Sequence, residues 1–251
     1  MLDLLDAAGV RATFFVVGWL ADRHPAVIQE VIAAGHEIGS HSYLHRKVYE
    51  LDVEGFRADL RASIVALTAA GAPPVAMFRA PEWSITDRSL WALEVLAEEG
   101  LQVDASMAPV KLVGSVRYPR YPHVRETRAG PIREAPPFVV TRCTQAAPMG
   151  WGWGLRMSAP RRVLTAIERA NANGVPAVLT IHPWELDPHP PRVRLPPRLQ
   201  FAHYFRLSGF AGRLREILHG ASFGPIGNMT AFRPAAAANA VSGGREDQPT
   251  P

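Results

Sequence analysis

The chain has 251 residues, 47% of them hydrophobic, and a formal net charge of +4, a size that suits one large α/β domain as readily as two small ones. Its 27 Lys and Arg residues are scattered in runs no longer than a pair such as Arg161 and Arg162, which reads as ordinary solubility rather than as a nucleic-acid-binding stripe. The single cysteine, Cys143, excludes an internal disulfide and fits a reducing, cytoplasmic location, while no apolar stretch approaches the about 20 residues that span a bilayer.

Met1 to Ala8 reads as the last turns of an amphipathic helix closed by Gly9, so the chain begins inside an element. The run ATFFVVG, Ala12 to Gly18, predicts a strand buried on both faces. A helix over Pro25 to Ala34 and a short strand, His36 to Ser40, follow. From Asp52, an N-cap, to Ala70, the spacing of Val53, Phe56, Leu60, Ile64 and Leu67 marks one helix face. Val75 to Phe78 reads as a third strand, Asp87 to Glu99 as a helix, and Leu101 to Val103 as a fourth strand. A Pro- and Arg-rich stretch carries no clear pattern. Ser158 then opens a helix through Asn173, Ala177 to Ile181 (AVLTI) reads as a strand, and Phe210, Leu214, Ile217 and Leu218 lie on a last helix. Arg233 to Pro251 has almost nothing to bury and is expected to be disordered. Strands alternating with helices imply βαβ crossovers and a parallel sheet, open and doubly wound or closed into a barrel.

In parallel α/β folds, working residues collect where strands end. Here His41 follows the second strand, Arg79 the third, Asp104 the fourth and His182 the strand AVLTI. His41 and His45 are spaced i, i+4, so on a helical turn both rings share a face and can grip one ion; the alternative is a pair of solvated polar residues. No third ligand is evident. His182 reads as a general acid or as a capped structural histidine, and Asp104 as its carboxylate partner or as a turn residue. Arg79, in FRAPEW, orients an acidic group or lies on the surface, and Pro81 sets a nearby N–H toward an oxyanion. Trp151 and Trp153, in GWGWG, suit a sugar face or core packing.

The motifs HSYLH, FRAPEW, VDAS and LTIHPWELD, in that order, resemble those of the NodB-homology polysaccharide deacetylases, carbohydrate esterase family four. HPWELDP with the later FAHYFRL is similar to the exosortase-associated exopolysaccharide branch. The resemblance covers roughly Met1 to Phe232 and implies a deacetylase domain over 1–232, a tail over 233–251, and a distorted (β/α)7 barrel. It also implies a divalent metal, commonly zinc, and an N-acetylated polysaccharide as substrate. By position, His41 and His45 would hold the metal, His182 would be the general acid, Asp104 would tune it, and Arg79 would position the base. The Glu82 backbone N–H would face the oxyanion, with Trp83, Trp184, Trp151 and Trp153 near the sugar. The family's first motif, an acidic pair on the first strand that supplies the third ligand and the general base, has no counterpart, so the first strand is expected to be missing by truncation. Rival readings are a non-catalytic sugar-binding descendant and a hydrolase of small acetylated or cyclic amides; the oligomeric state is left open.

Overall fold

In the computed structural model, which describes residues 1–111, 113–142 and 145–234, strands and helices alternate through the first half of the chain. Helix α1 (Leu2–Ala7) turns through Gly9, at φ 64°, into strand β1 (Thr13–Val16). Helices α2 (Gly18–Arg23) and α3 (Pro25–Ala33) lead to β2 (Glu37–Ser40), followed by α4 (Val53–Ala69), β3 (Met77–Phe78), α5 (Trp91–Glu98) and β4 (Val103–Asp104). Asp52 caps α4 as expected, its carboxylate accepting the Gly55 N–H at 2.8 Å. Helix α2, six residues long, is too short to show a helical period and was not legible.

The Pro- and Arg-rich stretch holds β5 (His123–Thr127), β6 (Gly130–Glu134), β7 (Val139–Arg142) and β8 (Gln145–Pro148). The hairpin β5/β6 turns through Gly130 at φ 126°, and its charged, half-buried residues form no apolar run in the sequence. Helices α6 (Gly152–Met157), α7 (Pro160–Ala172), α8 (Pro197–Tyr204) and α9 (Phe210–Gly220) and strand β9 (Arg233–Pro234) complete the described elements.

The main sheet runs β1-β2-β3-β4-β6-β5-β9, parallel from β1 through β4 to β6, with β5 antiparallel to β6. Among the described residues strand β1 pairs only with β2, and Phe14 and Phe15 are half-buried, short of the full burial on both faces that was expected. The expected strand Ala177–Ile181 forms no ladder. It is extended backbone held by the Phe138 N–H on Val178 O (2.9 Å), the Thr180 N–H on Gly150 O (2.6 Å) and a single parallel bridge from Trp151 to Thr180. Arg233 and Pro234, expected to lie in a disordered tail, pair instead with His123 and Val124; residues 235–251 and Cys143 lie outside the described residues.

Helices α4 and α5 cover the sheet with Phe56, Leu60, Leu93 and Leu96 packed on Phe78 and Ile132. Helices α2 and α3 bury Ala21, Ile28 and Val31 against Val16, Ile38 and Leu67, and α7 and α9 bury Val163, Ile167, Phe210 and Ile217 against Phe138 and Leu155. Each apolar stripe faces the sheet, which leaves the strand ends to polar residues. Among the described residues no helix is long and apolar enough to cross a membrane.

Candidate metal and catalytic site

The chain leaves β2 through buried Ser40, and the His41 N–H donates to Val16 O at 2.9 Å. The helical turn expected to carry His41 and His45 is absent: residues 41–47 form a loop with Ser42 and His45 in the left-handed region, at φ 63° and 56°. The two rings meet nonetheless, edge to face, with centroids 4.9 Å apart. Backbone contacts hold the loop. The Gly18 and Trp19 N–H groups donate to Ser42 O and Tyr43 O at 2.9 and 3.1 Å, and the His45 N–H donates to Ser42 Oγ at 2.9 Å. Asp59 on α4 accepts the Tyr43 and Leu44 N–H groups at 2.7 and 3.1 Å. As a lone carboxylate on a helix, Asp59 carries no motif by which the sequence could have marked it.

His41 Nδ1 lies 2.6 Å from Arg79 O, so it carries the proton and Nε2 keeps its lone pair. Burial pushes the His41 pKa down to about 3, and the positive charges of His45, Arg79 and His182 act in the same sense. The ring is therefore neutral across the physiological range, and His182 is close enough for its charge to be felt. A neutral imidazole whose second nitrogen is tied to a carbonyl has the character of a zinc ligand. His41 Nε2 fits one place of a zinc sphere and the adjoining His45 ring can offer a second, and among the described residues no cluster of three or more His, Cys, Asp or Glu exists to complete it.

Arg79 is buried after β3, its guanidinium 5.1 Å from the Phe15 ring and 4.5 Å from the Trp83 ring, with Nε donating to Ala105 O at 3.0 Å. Its Nη2 is buried without a hydrogen-bond partner. Burial lowers its pKa to about 10 against the opposing charges of Asp104 and Glu134. Phe15 can lie there because its neighbour in β2 is Gly39, where a Cβ would stand 2.7 Å from the ring.

Asp104 is fully buried and accepts from Ser106 Oγ. Its register partner Glu134 is equally buried and accepts the Met107 N–H at 3.0 Å. Burial raises the pKa of both, and Asp104 Oδ2 and Glu134 Oε2 are each buried with no hydrogen-bond donor facing them.

The carboxylate against His182 is Glu185, a correction of the expectation that Asp104 fills that place. Glu185 Oε2 lies 3.2 Å from His182 Nδ1 and accepts the His182 backbone N–H at 3.0 Å. Its Oε1 lies 3.1 Å from Arg156 Nε, and both partners are buried, at 3% and 2% exposure. Asp104 stands on the sheet while Glu185 lies in the turn of His182 itself. The available signal was a glutamate three residues after a helix-capping position, the pattern of a capping box.

The Glu82 and Trp83 backbones are left-handed, at φ 51° and 58°, after the rigid Pro81, and the Glu82 carboxylate pairs with Lys47 Nζ at 3.3 Å. Trp151 tilts against Trp83 at 5.4 Å, near Arg79, whereas Trp153 packs on Phe201 and Phe205 at 5.8 and 6.4 Å. The two indoles thus pack on different partners, and the glycines beside them, Gly150, Gly152 and Gly154, are buried rather than open to a sugar: a Cβ at Gly150 would stand 2.5 Å from Val178 O. Trp184 stacks between His182 and His203, at 6.0 and 4.1 Å.

Residues 1–102 match the family described as Polysaccharide deacetylase, and residues 105–231 that described as Domain of unknown function (DUF3473). A peptidoglycan-N-acetylglucosamine deacetylase of Bacillus cereus is 28% identical over 95 residues, 38% of this chain and 34% of its own length. A chitooligosaccharide deacetylase of Rhizobium leguminosarum bv. trifolii is 29% identical over 110 residues, 44% of this chain and 47% of its own. The chain spans less than half the length of these relatives. A family 4 carbohydrate esterase from Streptomyces lividans, solved in complex with acetate, shares the fold with a TM-score of 0.52 at 17% identity, over 93% of this chain and 88% of that one. With a match over half of its length, the chain belongs to the DUF3473 family, and it carries in residues 1–102 a polysaccharide deacetylase domain of the NodB type, with the mixed α/β fold of the (β/α)7 deacetylases.

Proposed function

We propose that this protein is a metal-dependent hydrolase that removes N-acetyl groups from an N-acetylhexosamine-containing polysaccharide, an exopolysaccharide. The observation that carries the reading is the His41 and His45 pair, with His41 Nε2 left free by the Arg79 carbonyl and His182 near by. His41 and His45 would hold a divalent ion, zinc by ligand type, which when bound would supply Lewis acidity toward the amide carbonyl. His182 protonates the departing amine. The Glu82 N–H, turned by the left-handed backbone, faces the developing oxyanion, and Arg79 directs its free Nη2 at a carboxylate base. Among the described residues no third ligand joins the pair, so on this reading a carboxylate base and a third ligand complete the site. Trp83 and Trp151 line the sugar side, with Trp184 behind His182. The likeness of HPWELDP and FAHYFRL to the exopolysaccharide branch supports the polymer named.

The test measures bound zinc and acetate release from N-acetylated oligosaccharides, with and without chelator. Release that stops on chelation and in His41→Ala, His45→Ala and His182→Ala variants supports the reading; acetate release indifferent to chelator and to His41 sinks it. The two-nitrogen donor set favours one rival, a non-catalytic sugar binder. Oligosaccharide binding by a protein that holds no zinc and releases no acetate would decide for that rival.

A further inference from the structure

The contacts around Glu185 exceed what a capping residue needs. Arg156 is held by three carbonyls at the end of α8: Nη1 donates to His203 O and Phe205 O at 3.1 and 2.7 Å, and Nη2 to Ala202 O at 3.0 Å. With those N–H groups engaged, the guanidinium cannot swing, and its Nε is left to face Glu185 Oε1 at 3.1 Å. From the other side, a Cβ at Gly152 would overlap the Glu185 carboxylate, so the start of α6 forms a cradle that only glycine leaves open. Glu185 Oε2 is thereby presented to His182, whose ring is 57% exposed and has Nδ1 at 3.2 Å.

We propose that Glu185 and Arg156 are positioning residues that hold His182 in its Nδ1–H tautomer and make Nε2 the atom that gives up the proton. The proposal rests on the reading of His182 as general acid, which it deepens. A carboxylate only accepts, so it selects the imidazole with hydrogen on Nδ1. In the reaction, the Nε2–H bond of the imidazolium breaks, the proton passes to the amide nitrogen, and the C–N bond breaks to release the sugar amine. The ring is left as the neutral Nδ1–H form that Glu185 already stabilises, and Glu185 stays ionised. Arg156 acts through Glu185 by fixing which oxygen faces which partner. The chain has thus drawn the partner of its acid from three residues along the same turn rather than from Asp104, which accepts from Ser106 Oγ on the sheet beside Glu134.

The tautomer is read directly from the ring nitrogen shifts of the 15N-labelled full chain at about pH 9, above the unperturbed imidazole value. His182 is assigned as the signal lost in His182→Gln, which replaces an exposed ring. The expected result is a protonated Nδ1 and a bare Nε2; a predominant Nε2–H, the reverse, overturns the proposal. Glu185→Gln supplies the second arm. Its amide oxygen will face Arg156 Nε and turn the NH2 group to His182 Nδ1, which must then accept, so the tautomer is expected to invert. An unchanged tautomer in a folded variant overturns the role of Glu185, and should this variant not fold, the wild-type spectrum decides alone. Neither arm uses metal or substrate, so a failed deacetylase assay and a failed tautomer assignment remain separate results.

Discussion

At the scale of single residues, the site is held by groups that never touch a metal or a sugar. Asp59 fixes two N–H groups of the loop between His41 and His45, and no other element supplies those acceptors. Asp59→Ala is expected to loosen the imidazole pair and weaken zinc binding about tenfold or more, as loss of an orienting partner does; competition titration with a chromophoric chelator measures it. The Asp104 and Glu134 pair makes an opposite prediction. Both folded-state pKa values are raised by burial, so the unfolded chain releases a proton that the folded chain keeps, and stability is lost as pH rises above the ordinary carboxylate range. Glu134→Gln retains an acceptor for the Met107 N–H and gives Asp104 a donor. It is expected to raise stability at pH 8 by on the order of 1 kcal/mol, about 2–4 °C in Tm for a chain of this size, with little effect at pH 4. Thermal unfolding at both pH values decides.

At the scale of elements, the carboxyl ends of successive strands place the chemistry. The Arg79 N–H bonds to Ser40 O at 2.9 Å and the Ala105 N–H to Phe78 O at 2.9 Å, so each residue after a strand is tied to the strand beside it. Helix α4 carries the loop clamp, and its own start depends on Asp52. Asp52→Ala is expected to cost about 1 kcal/mol in urea unfolding, the usual value of an N-cap. In strand β2, Gly39→Ala pushes a Cβ against Phe15 and shifts the ring beneath Arg79. Intrinsic tryptophan emission from Trp83, which stacks on the same guanidinium, is expected to change while the far-ultraviolet spectrum does not.

For the molecule as a whole, pH dependence has a second source in β5. His123 is fully buried with Nδ1 at 3.0 Å from Tyr121 O, and burial pushes its pKa down to about 4. A histidine depressed in the folded state costs nothing above its unfolded pKa near 6.5, and below that only the unfolded chain takes up the proton. Stability is therefore expected to fall by about 3 kcal/mol between pH 6.5 and 4 from this group. His123→Gln flattens that part of the profile, and an unchanged slope would exclude His123 as its source.

Apart from the short helix α2, the order of elements through Asp104 and the polar residues at the strand ends were legible because each rests on local rules: apolar runs, the Asp52 cap, glycine after helices, and polar residues where strands stop. The hairpin β5/β6 was not, since its strands are charged and half-buried and their pairing is visible only against β4. Likewise the spacing of His41 and His45 indicated a shared ligand, but the loop that joins the rings depends on Asp59, a helix residue whose role exists only once α4 packs beside it. Only the tertiary structure assigned Glu185 to His182 and Asp104 to Glu134. Which of several carboxylates meets an imidazole is settled by how elements pack and by a buried arginine fixing one of them, and no period or motif in a linear chain carries that distance.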